Sequence, residues 1–268
     1  GLFGSHPLLI APLIAITFAF LFWQMSKGTL YLFGAFSLVG LSLQLHFASY
    51  SSDGIDIYAL VISNIGAILL ALIIAFALHI VFPDEEPRTP LPKAAKDKAS
   101  IRHEVILCTT VATLSFAVFQ TFDLVDSISA QAASVLILFP LCWKGATLSG
   151  WQRALGTLIG CNLALLAQLI LLNYSDTLFF ASFSLWILVF FISRQHVLSG
   201  GGAGTGFGVL TTFGILYDQS LSPQQDIIYS ALYRFSSVVV AIALSLCVIY
   251  VVHSLLNKFQ PTRHHTFT

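Results

Sequence analysis

The sequence predicts an all-α protein, a polytopic transmembrane bundle of about nine helices. Three observations predict it. Apolar residues make up 57% of the chain and charged residues 9%, against roughly 25% charged in a soluble domain. The shortfall is uneven: long apolar stretches alternate with short polar breaks, as in a chain dissolved in lipid. Finally, the positive charges sort to one side once the stretches are laid out as alternating crossings.

A crossing helix needs about 20 mostly apolar residues. Stretches of that character lie at 7–25, 29–49, 56–82, 103–122, 128–143, 150–172, 177–193, 200–217 and 226–257. The stretch 128–143 is short and contains Pro140. It is kept as a crossing because the charge pattern fails without it. With all of them in place, Lys27, the cluster from Arg88 to Arg102, Lys144, Arg153, Arg194, Lys258 and Arg263 share one side. The opposite loops hold Asp53, Asp56, Asp123, Asp126, Asp176, Asp218 and Asp226, with no Lys or Arg. Positive residues mark the cytoplasmic side. Gly1 is therefore expected in the periplasm or exterior and Thr268 in the cytoplasm.

Residues 83–102 are charged and proline-rich (Pro83, Pro87, Pro90, Pro92). They read as a cytoplasmic linker, with residues 258–268 as a cytoplasmic tail. On either side of the linker the helix order repeats. Residues 7–82 and 177–257 each give a helix, a basic turn, a glycine-containing helix, an acidic outer loop and a long helix. Asp56-Ile57 aligns with Asp226-Ile227, and the same register sets Asn64 against Arg234. Both long helices run inward, so the repeats are parallel. Residues 103–257 are expected to form a complete six-helix repeat. Residues 1–82 are expected to be the last three helices of a truncated first one, with three more preceding Gly1.

Composition excludes several classes. Twelve Lys and Arg balance twelve Asp and Glu, so nucleic acid is not an expected partner. Cys108, Cys142, Cys161 and Cys247 all lie in apolar stretches without a CxxC pair, as buried small hydrophobes do. His46, His79 and His253 show no HxxxH or HExxH spacing, so no metal site is expected. No nucleophile–base or paired-carboxylate motif is visible, and neither an enzyme nor a cofactor is expected.

Arg234 is the basic residue that departs from the one-sided pattern. A charge inside a span costs roughly 2.5–3.5 kcal/mol on insertion scales, so it needs a partner or an aqueous cavity. A carboxylate suits it, because guanidinium offers a fork of donors to two oxygens. A structural pair with Asp126, Asp218 or Asp226 is the alternative. Arg153 is placed at the cytoplasmic mouth, facing anionic substrate or lipid headgroups. Gly156 and Gly160 form a GxxxG, which lets helices approach closely. Gly200, Gly204 and Gly208 recur every four residues and serve packing or line a broken helix. No Lys-Ser/Thr follows this run, so it is no phosphate loop. Asp123, Asp126 and Asp226 are candidate proton carriers. Asn64, Asn162 and Gln168 are amides within spans, open to inter-helix bonding or substrate contact. Trp143 and Trp151 are expected interface anchors.

Two motifs carry a resemblance: Arg153-x-x-Gly156-Thr157-x-x-Gly160, and Tyr233-Arg234-Phe235 in the last helix. From about His103 to Leu256 the chain resembles the fusaric-acid-resistance and aromatic-acid-exporter family. Residues 1–82 match in helix order alone. The resemblance implies efflux of aromatic or other small organic acids across a bacterial inner membrane; coupling to the proton gradient is a separate expectation, from the outer-loop carboxylates. It implies a periplasmic membrane-fusion adaptor as partner, and a homo-oligomer is a further expectation. The large cytoplasmic domains of many relatives have no counterpart in the short linker and tail. A passive organic-anion channel and a scaffold that docks an adaptor are the alternatives. Single-channel currents separate the first from a carrier, and adaptor binding without substrate movement identifies the second.

Overall fold

The computed structural model describes residues 7–28, 30–49, 57–83, 96–122, 124, 127–171, 177–198, 204–220 and 227–263. Within them lie nine helices and no strand: α1 (Pro7–Lys27), α2 (Tyr31–Ser49), α3 (Ile57–Val81), α4 (Lys98–Thr121), α5 (Ile128–Leu136), α6 (Trp143–Leu171), α7 (Leu178–Leu198), α8 (Thr205–Ser220) and α9 (Ile227–Leu256). A 3₁₀ turn, Gln260–Thr262, follows α9. Helices α1, α3, α4, α6, α7 and α9 are long and apolar enough to cross a membrane, and α2 offers a shorter apolar stretch, Tyr31–Phe47. The chain is a multi-pass helical membrane protein.

Several boundaries differ from the sequence expectation, among them the end of α7, at Leu198 rather than 193, and three that bear on the site. The crossing expected at 128–143 is a nine-residue helix, about 14 Å long, followed by turns. Pro140 has no amide hydrogen to continue the ladder, and Leu141 takes a left-handed φ of 60°. The segment nevertheless runs from one end of the bundle to the other. Gln131 bonds His46 near the end of α2, while the Phe139 carbonyl accepts from Tyr31 at its start. Beyond the break, α6 begins at Trp143 rather than 150. The expected linker also ends early: Asp97 caps α4 by accepting from the Lys98 amide, so residues 98–102 are helical.

The buried side chains form two clusters. One joins α1, α2, α4, α5, the first turn of α6 and α9 from Val238 onward, around Phe18, Phe22, Leu38, Val111 and Ile249. The other joins α6, α7 and α8 around Phe213, Leu216 and Tyr217, and takes Ala231 from the first half of α9. Helix α9 thus belongs to both bundles. The bundles hold few polar ties. Tyr217 Oη donates to the Ala181 carbonyl at 2.7 Å, fixing α8 to α7. Glu104 on α4 accepts from Ser26 on α1 and pairs with Lys96. Helix α3 stands apart, with no described side chain buried.

Candidate functional site

Helices α6 and α8 meet backbone against backbone. A Cβ at Gly156 would lie 2.6 Å from the Thr205 carbonyl oxygen and 2.9 Å from Gly208 Cα. One at Gly160 would lie 2.8 Å from Thr212 Cβ and 2.9 Å from the Val209 carbonyl oxygen. These neighbours are mostly backbone and cannot step aside. Gly156, Gly160 and Gly208 therefore work as a packing seam, the first of the two readings of these glycines. Gly204 lies just ahead of α8, and Gly200 falls outside the described residues.

Arg153 is not at a helix mouth. Because α6 starts at Trp143, Arg153 lies about 15 Å inside the helix. Its side chain runs along the seam, where Nη1 donates to Thr211 Oγ1 at 3.2 Å. The guanidinium carbon lies 5.7 Å from the centre of the Phe207 ring, within cation–π range. Its Nε is buried without a hydrogen-bond partner.

Arg234 lies on α9, where the two bundles meet. It is 8% exposed, and its Nη1 has no hydrogen-bond partner. With Ile128 and Ser129 of α5, Ile215 and Gln219 of α8, and Tyr229, Ser230 and Tyr233 of α9, it lines a cavity of about 380 Å³. Gln219 Oε1, in the same wall, is also buried and unpartnered. Arg153 and Arg234 are near enough for their charges to act on each other. Among the described residues the one ion pair is Lys96–Glu104, and Asp218 is exposed at the end of α8. Asp123, Asp126 and Asp226 lie outside the described residues. The cavity thus has in its wall a residue with a buried guanidinium whose Nη1 lacks a partner, and a buried N–H left unbonded is costly where it stands.

A second cavity, of about 530 Å³, lies between α4, α5 and α9. Its walls are Val111, Val118, Phe119, Leu124, Val240 and Leu244, with hydroxyls from Ser115, Ser134 and Ser237. Tyr233 lines both cavities, and its hydroxyl meets Ser127 Oγ at 2.7 Å. Tyr233 thus stands between a compartment with Arg234 in its wall and a mostly apolar one. Both volumes are typical of small-molecule pockets.

The other sequence candidates are scattered. Asn64 is half-buried on the isolated α3. Asn162 is exposed and donates to the Leu158 carbonyl of its own helix. Gln168 is half-buried near the end of α6. Gln219 was missed, although an amide within a span is a visible signal. A histidine pair, His103 and His253, was also missed, since its members lie 150 residues apart in sequence.

Residues 105–248 match the model of a family described as fusaric acid resistance protein-like. Residues 1–78 match a second one, described as protein of unknown function (DUF2955). Searches of curated proteins and of solved structures returned no match.

Proposed function

Because this chain belongs to the fusaric acid resistance protein-like family, a family of membrane transporters, we propose that it is an inner-membrane efflux subunit for aromatic or other small organic acids. One observation carries the reading: Arg234, a buried arginine whose Nη1 has no hydrogen-bond partner, lines a cavity where two helical bundles meet. The carboxylate of the substrate binds Arg234. The Gln219 carbonyl oxygen accepts from a hydroxyl or protonated group, and the apolar body lodges beyond Tyr233. Arg153, one layer deeper along the seam, adds positive potential without blocking the cavity.

Export follows when the α6–α7–α8 bundle moves against the α1–α2–α4–α5 bundle with α9 between them. The proton gradient drives it, and a periplasmic adaptor completes the route outward. Residues 83–102 and the C-terminus face the cytoplasm. The two halves of the chain form parallel repeats, and the assembly contains more than one copy.

Purified protein in liposomes tests the hook. Arg234→Gln should lower carboxylate export about tenfold or more, the value of one charged hydrogen bond, while the amount of folded protein in the membrane is unchanged. Equal export by Arg234→Gln and wild type would remove Arg234 from the substrate path. Efflux indifferent to an imposed pH gradient would remove the proton drive.

A further inference from the structure

The opposite end of α9 holds a second polar site. His103 of α4, 2% exposed, points Nε2 at His253 Nδ1 of α9 at 2.8 Å. The rings meet edge to face, with centroids 4.8 Å apart. The other nitrogens have partners too. His103 Nδ1 lies 2.7 Å from the Thr262 carbonyl oxygen, and His253 Nε2 lies 3.0 Å from Asn257 Nδ2.

These partners fix the hydrogens. A carbonyl only accepts, so His103 Nδ1 carries its hydrogen. Neutral His103 then has a bare Nε2, which must receive from His253 Nδ1–H. His253 Nε2 is bare in turn and receives from the Asn257 amide. Every hydrogen bond points the same way, toward the Thr262 carbonyl.

Such a chain accepts one added proton readily. The proton comes from water at this face and adds to His253 Nε2. Asn257 rotates its amide to present oxygen. The inter-ring bond becomes charge-assisted and stronger. A second proton has no place. It would have to add to His103 Nε2, aiming two N–H groups and two positive charges at each other across 2.8 Å.

Among the described residues, the charges nearby are engaged elsewhere or exposed. Glu104, next to His103, is engaged by Lys96 at 2.7 Å and by Ser26 of α1. Lys27 of α1 lies over the Trp23 ring. Arg102 and Lys98 of α4, Lys144 of α6, Lys258, and Arg263 after the 3₁₀ turn are exposed.

We propose that His103 and His253 form a binding site for a single proton at the basic face, and that this proton's uptake and release accompany substrate movement; the second clause rests on the transport reading above. Its place in the fold suits the task. The pair ties the last turns of α9 to α4, and α9 carries Arg234 at its other end, about 28 Å away along the helix axis. A change in how α9 is clasped at one end is transmitted to the cavity at the other.

Histidine-selective ¹⁵N NMR of the full chain in nanodiscs, titrated between about pH 8 and pH 5 across the ordinary histidine range, reads the site directly. The expected result is a coupled pair with two steps more than about one pH unit apart. In His253→Gln the amide still donates to His103, and the split should collapse to one step. Asn257→Leu, which cannot turn an oxygen to the proton, should move the upper step to lower pH. Two histidines that titrate independently, or a split that survives His253→Gln, would overturn the proton site whatever the protein transports. In liposomes, His253→Gln should flatten the pH profile of carboxylate export, whereas Arg234→Gln should lower export at every pH and leave the midpoint in place. An intact split with no carboxylate movement at any pH would instead overturn the transport reading and the coupling clause with it.

Discussion

The α6–α8 seam and the gap between α5, α8 and α9 follow one another along the same helix, α8, yet they are built in opposite ways. At the seam, Gly156, Gly160 and Gly208 bring two backbones to the distance of a missing methyl group. At the gap, Arg234, Tyr229, Tyr233 and Gln219 surround an open cavity. The difference follows from what association in lipid rewards. Lipid tails are as apolar as leucine, so helices gain by close van der Waals contact, and small residues supply it. Large polar side chains prevent that contact and demand partners of their own. The seam therefore ties α6 to α8, whereas at the gap α8 stands apart from α5 and α9 around a cavity.

The most damaging change should be one that closes nothing but wedges the seam. Gly160→Leu puts a side chain against the Val209 carbonyl and the Phe213 amide, neither of which can rotate away. Overpacking of this kind costs about 1–3 kcal/mol even where side chains can shift, and here backbone must move. The expected outcome is loss of most folded protein from detergent extracts, read by size-exclusion chromatography. A monodisperse, wild-type-like yield would show that α6 and α8 are not in backbone contact. Arg234→Gln, at the gap, should leave that yield intact while export falls, which is the contrast in its clearest form.

A smaller effect should come from filling the apolar compartment. Ser134 is 1% exposed on α5, lines the larger cavity, and donates only to the Ala130 carbonyl of its own helix. Ser134→Leu therefore breaks no tie between helices and takes space from the cavity. The KM for a carboxylate the size of benzoate should rise about tenfold, in line with the cost of a misfitted methylene or two. Acetate, which needs only the charged compartment, should be handled as before. Equal changes for both acids would place the apolar body somewhere else.

How much of this was legible in the sequence depends on what kind of signal each part leaves. Hydropathy located every helix, because lipid allows no other economical use of long apolar stretches. It erred at the α5–α6 junction. Pro140 marked a break, but the left-handed Leu141 that moves the turn ahead of Trp143 leaves no signal in a leucine codon. That shift of a few residues carried Arg153 from an expected mouth to the interior of α6. Arg234 was readable from its cost alone, and Gly156 with Gly160 from their spacing. The partner of that GxxxG was not, since nothing local says that Gly208 faces Gly156. His103 and His253 failed for the same reason: each looks like an ordinary histidine near a helix end until the fold brings them together.

The mildest substitution tests whether glycine is used for contact or merely present. Gly214 lies on α8 beyond the seam, and a Cβ built there meets nothing within 4 Å. The close approach that forbids a methyl at Gly160 is thus absent on this face of the helix. Glycine inside a helix costs up to about 1 kcal/mol relative to alanine, so Gly214→Ala should leave folding intact and raise the thermal midpoint slightly. Gly160→Ala should lower it. Opposite signs from two identical exchanges, one on α6 and one on α8, would locate the contact face of the α6–α8 pair. A loss of stability from Gly214→Ala comparable to that from Gly160→Ala would mean that another helix, from this chain or a second copy, packs on that face.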